Sequence, residues 1–137
     1  MSAVWAVVIA AFLQAAPAPI ETVARVADSG IDTARQAVVR SAGEWAALWR
    51  EHAGDTPVPR VDFNTRTVLA VFLGTRPSAG YAVEIVATRV EGSGLVVEWR
   101  EKAPERGLVT AQVLTSPAHL VSVPKVAGAV RFQKAGQ

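Results

Sequence analysis

Residues 68–73, Val68-Leu69-Ala70-Val71-Phe72-Leu73, are apolar at every position and run directly into Gly74. A strand with one wet face alternates apolar and polar side chains, so a strand that is apolar throughout needs cover on both faces. The run therefore predicts a central strand, and the fold must place a layer on each side of it. Immediately after it, Gly74-Thr75-Arg76-Pro77-Ser78-Ala79-Gly80-Tyr81 is punctuated by proline and glycine, which predicts a stiff loop carried on that rigid strand.

The remaining elements are short. Residues 20–26 and 36–40 read as strands separated by the turn-prone Asp28-Ser29-Gly30. Ser41 followed by Glu44 is a capping box, and Trp45, Leu48, Trp49 and His52 fall at i, i+3, i+4 and i+7, the stripe of a helix lying on a sheet; Gly54 supplies the stop. Thr56-Pro57-Val58-Pro59 is a stiff connector. Residues 81–90 predict a strand with Tyr81, Val83, Ile85 and Ala87 on one side, and Gly92-Ser93-Gly94 a tight reversal. Leu95, Val97 and Trp99 then alternate with Val96, Glu98 and Arg100, the period of a half-buried strand. A turn at 104–107 precedes further strand candidates at 109–114, 120–123 and 129–133, with a break at Ser116-Pro117. About seven short strands and one packed α-helix define an all-β domain, either a β-sandwich or an open barrel.

The chain has 137 residues, half of them hydrophobic and 19% charged, enough for one domain with a real core. Fourteen basic and twelve acidic residues are interspersed, giving +2 overall without the clustered basic face that nucleic acid requires. Cysteine is absent, which excludes a thiol nucleophile, a thiolate metal site and a lipid-modified N-terminal cysteine. Residues 4–13 form an apolar run of signal-peptide length, followed by the small residues Ala15, Ala16 and Ala18, although Met1-Ser2-Ala3 carries no basic charge. The expectation is an export signal at 1–18, a single domain at 19–137, and a periplasmic or extracellular location without a stable membrane anchor after cleavage.

The candidate site is the loop. Gly80 is expected at positive φ, while Pro77 fixes its own φ and pushes Arg76 toward an extended conformation. Such preorganisation lowers the ordering cost of docking, and Tyr81 and Arg76 are residue types that anchor interfaces. Thr75, Arg76, Pro77, Ser78, Gly80 and Tyr81, joined by Glu105 and Arg106 from the 104–107 turn, form the expected surface for a protein partner. The competing reading is a hairpin connection with Tyr81 tucked into the core. His52 and His119 are the only histidines, and no carboxylate cluster accompanies them, so neither a metal nor another cofactor is expected. His52 falls in the last helical turn, where packing explains it. His119 near Ser116 permits a hydrolase with a Ser-His-acid triad, for which no Gly-x-Ser-x-Gly elbow is present. Trp45, Trp49 and Trp99 read as core. Glu98, Arg100, Glu101, Lys102, Glu105 and Arg106 sum to zero and read as a solvated edge.

The order Glu44-Trp45-Ala46-Ala47-Leu48-Trp49, Val61-Asp62-Phe63, the apolar strand ending in Gly74, Pro77-Ser78-Ala79-Gly80-Tyr81, then Thr115-Ser116-Pro117 and Leu120-Val121, resembles the C-terminal domain family of the protease complex subunit PrcB across roughly residues 35–132. The resemblance implies an exported, non-catalytic module that accompanies a protease, and it supplies no catalytic residues. Without cysteine, no lipid anchor carries over. A second likeness is to the chagasin-type inhibitors of cysteine peptidases: Pro77-Ser78-Ala79-Gly80-Tyr81 is similar to their first binding loop and Gly92-Ser93-Gly94 to their Gly-rich loop, while Pro104-Glu105-Arg106-Gly107 lacks the tryptophan of the third. That reading requires the Gly80 and Gly92 loops to lie at one end of the domain.

Overall fold

A computed structural model describes residues 19–136, and the expected export signal lies outside the described residues. Seven strands and one helix follow in the order β1 (Glu21–Val26), β2 (Arg35–Val39), α1 (Ala42–Ala53), β3 (Arg66–Phe72), β4 (Ala82–Glu91), β5 (Gly94–Lys102), β6 (Ala118–Pro124) and β7 (Val130–Lys134). One sheet has the order β1-β6-β3-β2 and is antiparallel throughout; the other has the order β4-β5-β7, with β5 and β7 parallel. Of the two expected architectures the sandwich is the one formed, with a helix added on its outer side.

The apolar run behaves as its composition demands. In β3, Val68, Ala70 and Phe72 pack with Trp45, Leu48 and Trp49 of α1, while Leu69, Val71 and the following Leu73 pack with Val83, Ile85, Leu95 and Val97 of the second sheet. Both faces of β3 are therefore dry, and β6 beside it repeats the pattern with Leu120 toward the helix and Val121 and Val123 toward the opposite sheet. The result is three layers, helix on sheet on sheet. Helix α1 begins as expected at Ser41, whose side chain accepts from the Glu44 N–H, but the Glu44 carboxylate reaches one residue further back and accepts from the Arg40 N–H at 3.0 Å. Its Trp45 and Trp49 indoles donate to the carbonyls of Pro59 and Thr56, so the proline-rich connector folds back onto the helix.

Three expectations are corrected. A β-bulge leaves Val86 without an opposite residue, because Ile85 pairs with Trp99 and Ala87 with Glu98. The extra residue inverts the phase of β4, and Thr88 rather than Ala87 turns inward. Strand β5 is not a solvated edge: it lies between β4 and β7, and its Val96 is buried as well as Leu95 and Val97. The residues expected as a strand at 109–114 form none. They run as irregular chain with Val109, Val113 and Leu114 facing solvent, tied to the 75–81 loop by one backbone bond from the Ala79 N–H to the Ala111 carbonyl.

Candidate functional site: the loop end of the sandwich

The segment after β3 is stitched to the rest of the domain at several points. The Thr75 N–H donates to the Asp32 carbonyl; Arg76 and Thr115 exchange two backbone bonds of 2.7 and 3.0 Å; the Thr115 hydroxyl donates to the Ser78 carbonyl; and the Ala79 N–H donates to the Ala111 carbonyl. Gly80 has φ +99°, as expected, and a Cβ there would lie 2.8 Å from the Pro104 ring. The 75–81 loop and the 104–115 segment thus form one unit at the end of the sheets where β4 begins and β5 ends.

Within this unit the expected residues separate by role. Thr75, Pro77, Gly80, Glu105 and Arg106 are exposed, Tyr81 is half-buried, and Ser78 is buried. Arg76 is spent internally. Its Nε donates to Glu101 Oε2 at 2.7 Å, Nη2 to Glu101 Oε1 at 3.0 Å, and Nη1 to the Leu73 and Thr75 carbonyls. This two-point clasp raises the Arg76 pKa, and its hydrogen bonds hold the Glu101 carboxyl below the ordinary carboxylate range. Arg76 is a post that fixes the loop to β5. Glu101, 25 residues away, gave no signal in the sequence beyond its charge.

The sequence reading also missed the exposed aliphatic residues. Leu108 is 60%, Val109 98%, Val113 54% and Leu114 71% exposed, and all four belong to the segment stitched to the loop. Their signal was present as a β-prone run; only the absence of a strand partner leaves them on the surface.

Gly80 and Gly92 precede and follow the ten-residue β4, so the two loops stand at opposite ends of a strand about 30 Å long. The chagasin-like arrangement, which needs them side by side, does not form. His119 is 1% exposed on β6. Its Nδ1 accepts from the Ile85 N–H at 2.9 Å, so the neutral ring carries its proton on Nε2, which faces Thr22 Oγ1 at 3.0 Å. The only nitrogen beside a hydroxyl therefore has no lone pair to act as a general base, and no serine hydroxyl touches the ring. Burial, assisted by Arg25, pushes the His119 pKa down to about 4, with Glu84 opposing. His52 is buried against Trp49 and Phe72, with Nδ1 2.7 Å from the Ser29 hydroxyl, and burial lowers its pKa too. Among the described residues no group of His, Asp and Glu side chains is arranged to hold a metal ion, and no helix is long and apolar enough to cross a membrane.

Residues 67–124 match the family described as PrcB C-terminal, a span that runs from the central strand through the loop and the 104–115 segment to the end of β6. No curated protein and no solved structure matches the chain.

Proposed function

We infer, starting from the match of residues 67–124 to the PrcB C-terminal family, that this chain is an exported, non-catalytic module that docks on a protein partner, a protease or another envelope protein. The family association is that of a protease-associated subunit domain. The single observation that carries the docking reading is the hydrogen-bonded unit of the 75–81 loop and the 104–115 segment, which leaves four large aliphatic side chains in solvent. Exposed apolar patches of this kind mark interaction sites on soluble proteins. Thr75, Glu105 and Arg106 add exposed polar groups to the same unit, with Pro77 exposed beside them and Tyr81 half-buried. The apolar run at 4–13 supports export.

The test compares the wild-type chain with a Val109→Asp, Leu114→Asp variant as bait in the organism's own secreted proteins, with mass spectrometry as readout. At these exposed positions the substitutions shift stability by only about 0.5 kcal/mol. Loss of a protease or other envelope protein that the wild-type chain captures supports the reading. Equal capture by both proteins removes the patch, and capture of neither kind of protein by the wild-type chain removes the proposed partner.

A further inference from the structure

The two sheets share no hydrogen-bonded strand pair between β2 and β7. At one end of this seam Arg40 closes the gap by donating to the carbonyls of Val126 and Gly128. At the other end lies a cavity of about 330 Å³. Its wall is apolar, made by Val71, Phe72, Leu73 and Trp99. Its charged lining is Arg35, Arg76 and Lys134 against one carboxylate, Glu101. That carboxylate is already engaged, by Arg76 at 2.7 and 3.0 Å and by Lys134 at 3.6 Å. Arg35 is held through Nη2 to Glu51, a pair whose glutamate side chain is 57% exposed.

Two buried side-chain N–H groups among the described residues lack an acceptor, Arg35 Nε and Trp99 Nε1, and both residues line this cavity. The contrast with Trp45 and Trp49, whose indoles both reach a carbonyl, makes the Trp99 case specific. A buried donor left unpaired costs about 1–3 kcal/mol, and both such donors belong to residues that line this one cavity. With Glu51 pairing Arg35 from outside the cavity, three cations meet two carboxylates, and the residual positive charge favours an anionic acceptor. The planar guanidinium of Arg35 suits a carboxylate, and the apolar wall favours a ligand with a hydrophobic body over a bare inorganic ion.

We propose that this cavity binds a carboxylate carried on an apolar body, with the carboxylate accepting from Arg35 and the Trp99 indole and the body lying against Phe72 and Leu73. Both nitrogens are shielded from solvent, so one lining side chain moves on binding. Lys134 is the least restrained: its side chain is 56% exposed, 3.6 Å from Glu101, and lies over the Trp99 ring at 5.4 Å. The chemistry fits either the free C-terminus of a peptide or a small free acid. The site is independent of the docking patch, since none of the four exposed aliphatic residues lines it.

The experiment follows the Trp99 indole N–H resonance of the full chain, assigned with a Trp99→Phe variant, during titration with three probes: N-acetyl-Ala-Ala-Phe, its C-terminal amide, and 3-phenylpropionate. A saturable Trp99 shift with a carboxylate probe, roughly tenfold weaker or absent with the amide, supports the proposal, as the loss of one charge-assisted bond dictates. If the peptide acid alone binds, the ligand is a chain terminus; if 3-phenylpropionate binds equally well, it is a small acid. Arg35→Gln weakens both acids while leaving the Trp45 and Trp49 resonances in place. No Trp99 shift at millimolar probe, or equal shifts with acid and amide, overturns the proposal. The acid and amide comparison needs no variant, and the Val109→Asp, Leu114→Asp protein retains the shift whatever becomes of its partner capture.

Discussion

Arg76 shows how a residue chosen for one role can be held in another. As a side chain following the central strand it resembles an interface anchor, yet four of its donor contacts point inward, to Glu101 and to two carbonyls. Removing it leaves a Glu101 side chain that is only 18% exposed with Lys134 at 3.6 Å in place of the two-point clasp. Arg76→Ala is therefore expected to destabilise the domain by about 2 kcal/mol in urea unfolding, the cost of orphaning a partly buried charge-assisted pair. Lysine at the same position lacks the planar fork and restores less than half of that loss. Gly80 carries a comparable constraint. Alanine there meets both an unfavourable φ and the Pro104 ring, so Gly80→Ala is expected to cost about 1–3 kcal/mol and to loosen proteolytic protection of the 104–115 segment. A Gly80→Ala protein as stable and as protease-resistant as wild type would show that the two loops are not mechanically joined.

At the scale of elements, the helix depends on its cap and on its buried stripe. Ser41→Ala removes the acceptor for the Glu44 N–H and is expected to lower stability by about 1 kcal/mol, read as a shift of the urea midpoint with unchanged slope. Strand β4 shows the opposite relation between pattern and element. Its sequence puts Val83, Ile85 and Ala87 at alternate positions, and the bulge at Val86 shifts that phase, directing Thr88 inward. The Ile85 N–H beside the bulge goes to His119 on the other sheet, so the irregularity lets β4 reach across the sandwich to β6. The 108–114 segment differs again: a β-prone run that pairs with no strand stays irregular and exposed.

At the scale of the whole molecule, that His119 link makes the sandwich acid-sensitive. The ring is buried and neutral in the fold, with its pKa near 4, whereas in the unfolded chain it titrates near 6.5. Between those values the unfolded state binds the extra proton, so the stabilisation is complete above about pH 6.5 and is lost progressively as pH falls toward 4. The total is on the order of 3 kcal/mol, and His52, lowered by its own burial, acts in the same direction. Unfolding free energies measured between pH 7 and pH 4.5 are expected to fall, and the fall should shrink in His119→Gln, whose amide oxygen can still accept from Ile85. An identical pH slope in the two proteins would refute His119 as the source. Depression of the Glu101 pKa adds a further loss at lower pH, where its pair with Arg76 is protonated away.

The sequence alone determined the local and one-dimensional features: a strand apolar on both faces at 68–73, a capped helix with a Trp-Leu-Trp-His stripe, the loop with its positive-φ glycine, the mainly β class, and the family resemblance. These follow from periodicity, from steric limits on glycine and proline, and from the order of short motifs, all of which reside in neighbouring residues. Only the tertiary structure decided that Arg76 clasps Glu101, that 108–114 finds no strand to join, that one bulge inverts β4, and that Arg35 and Trp99 line one cavity at the seam. Each of those depends on which distant segments become neighbours, and close contact between residues 25 or more positions apart leaves no periodic trace along the chain.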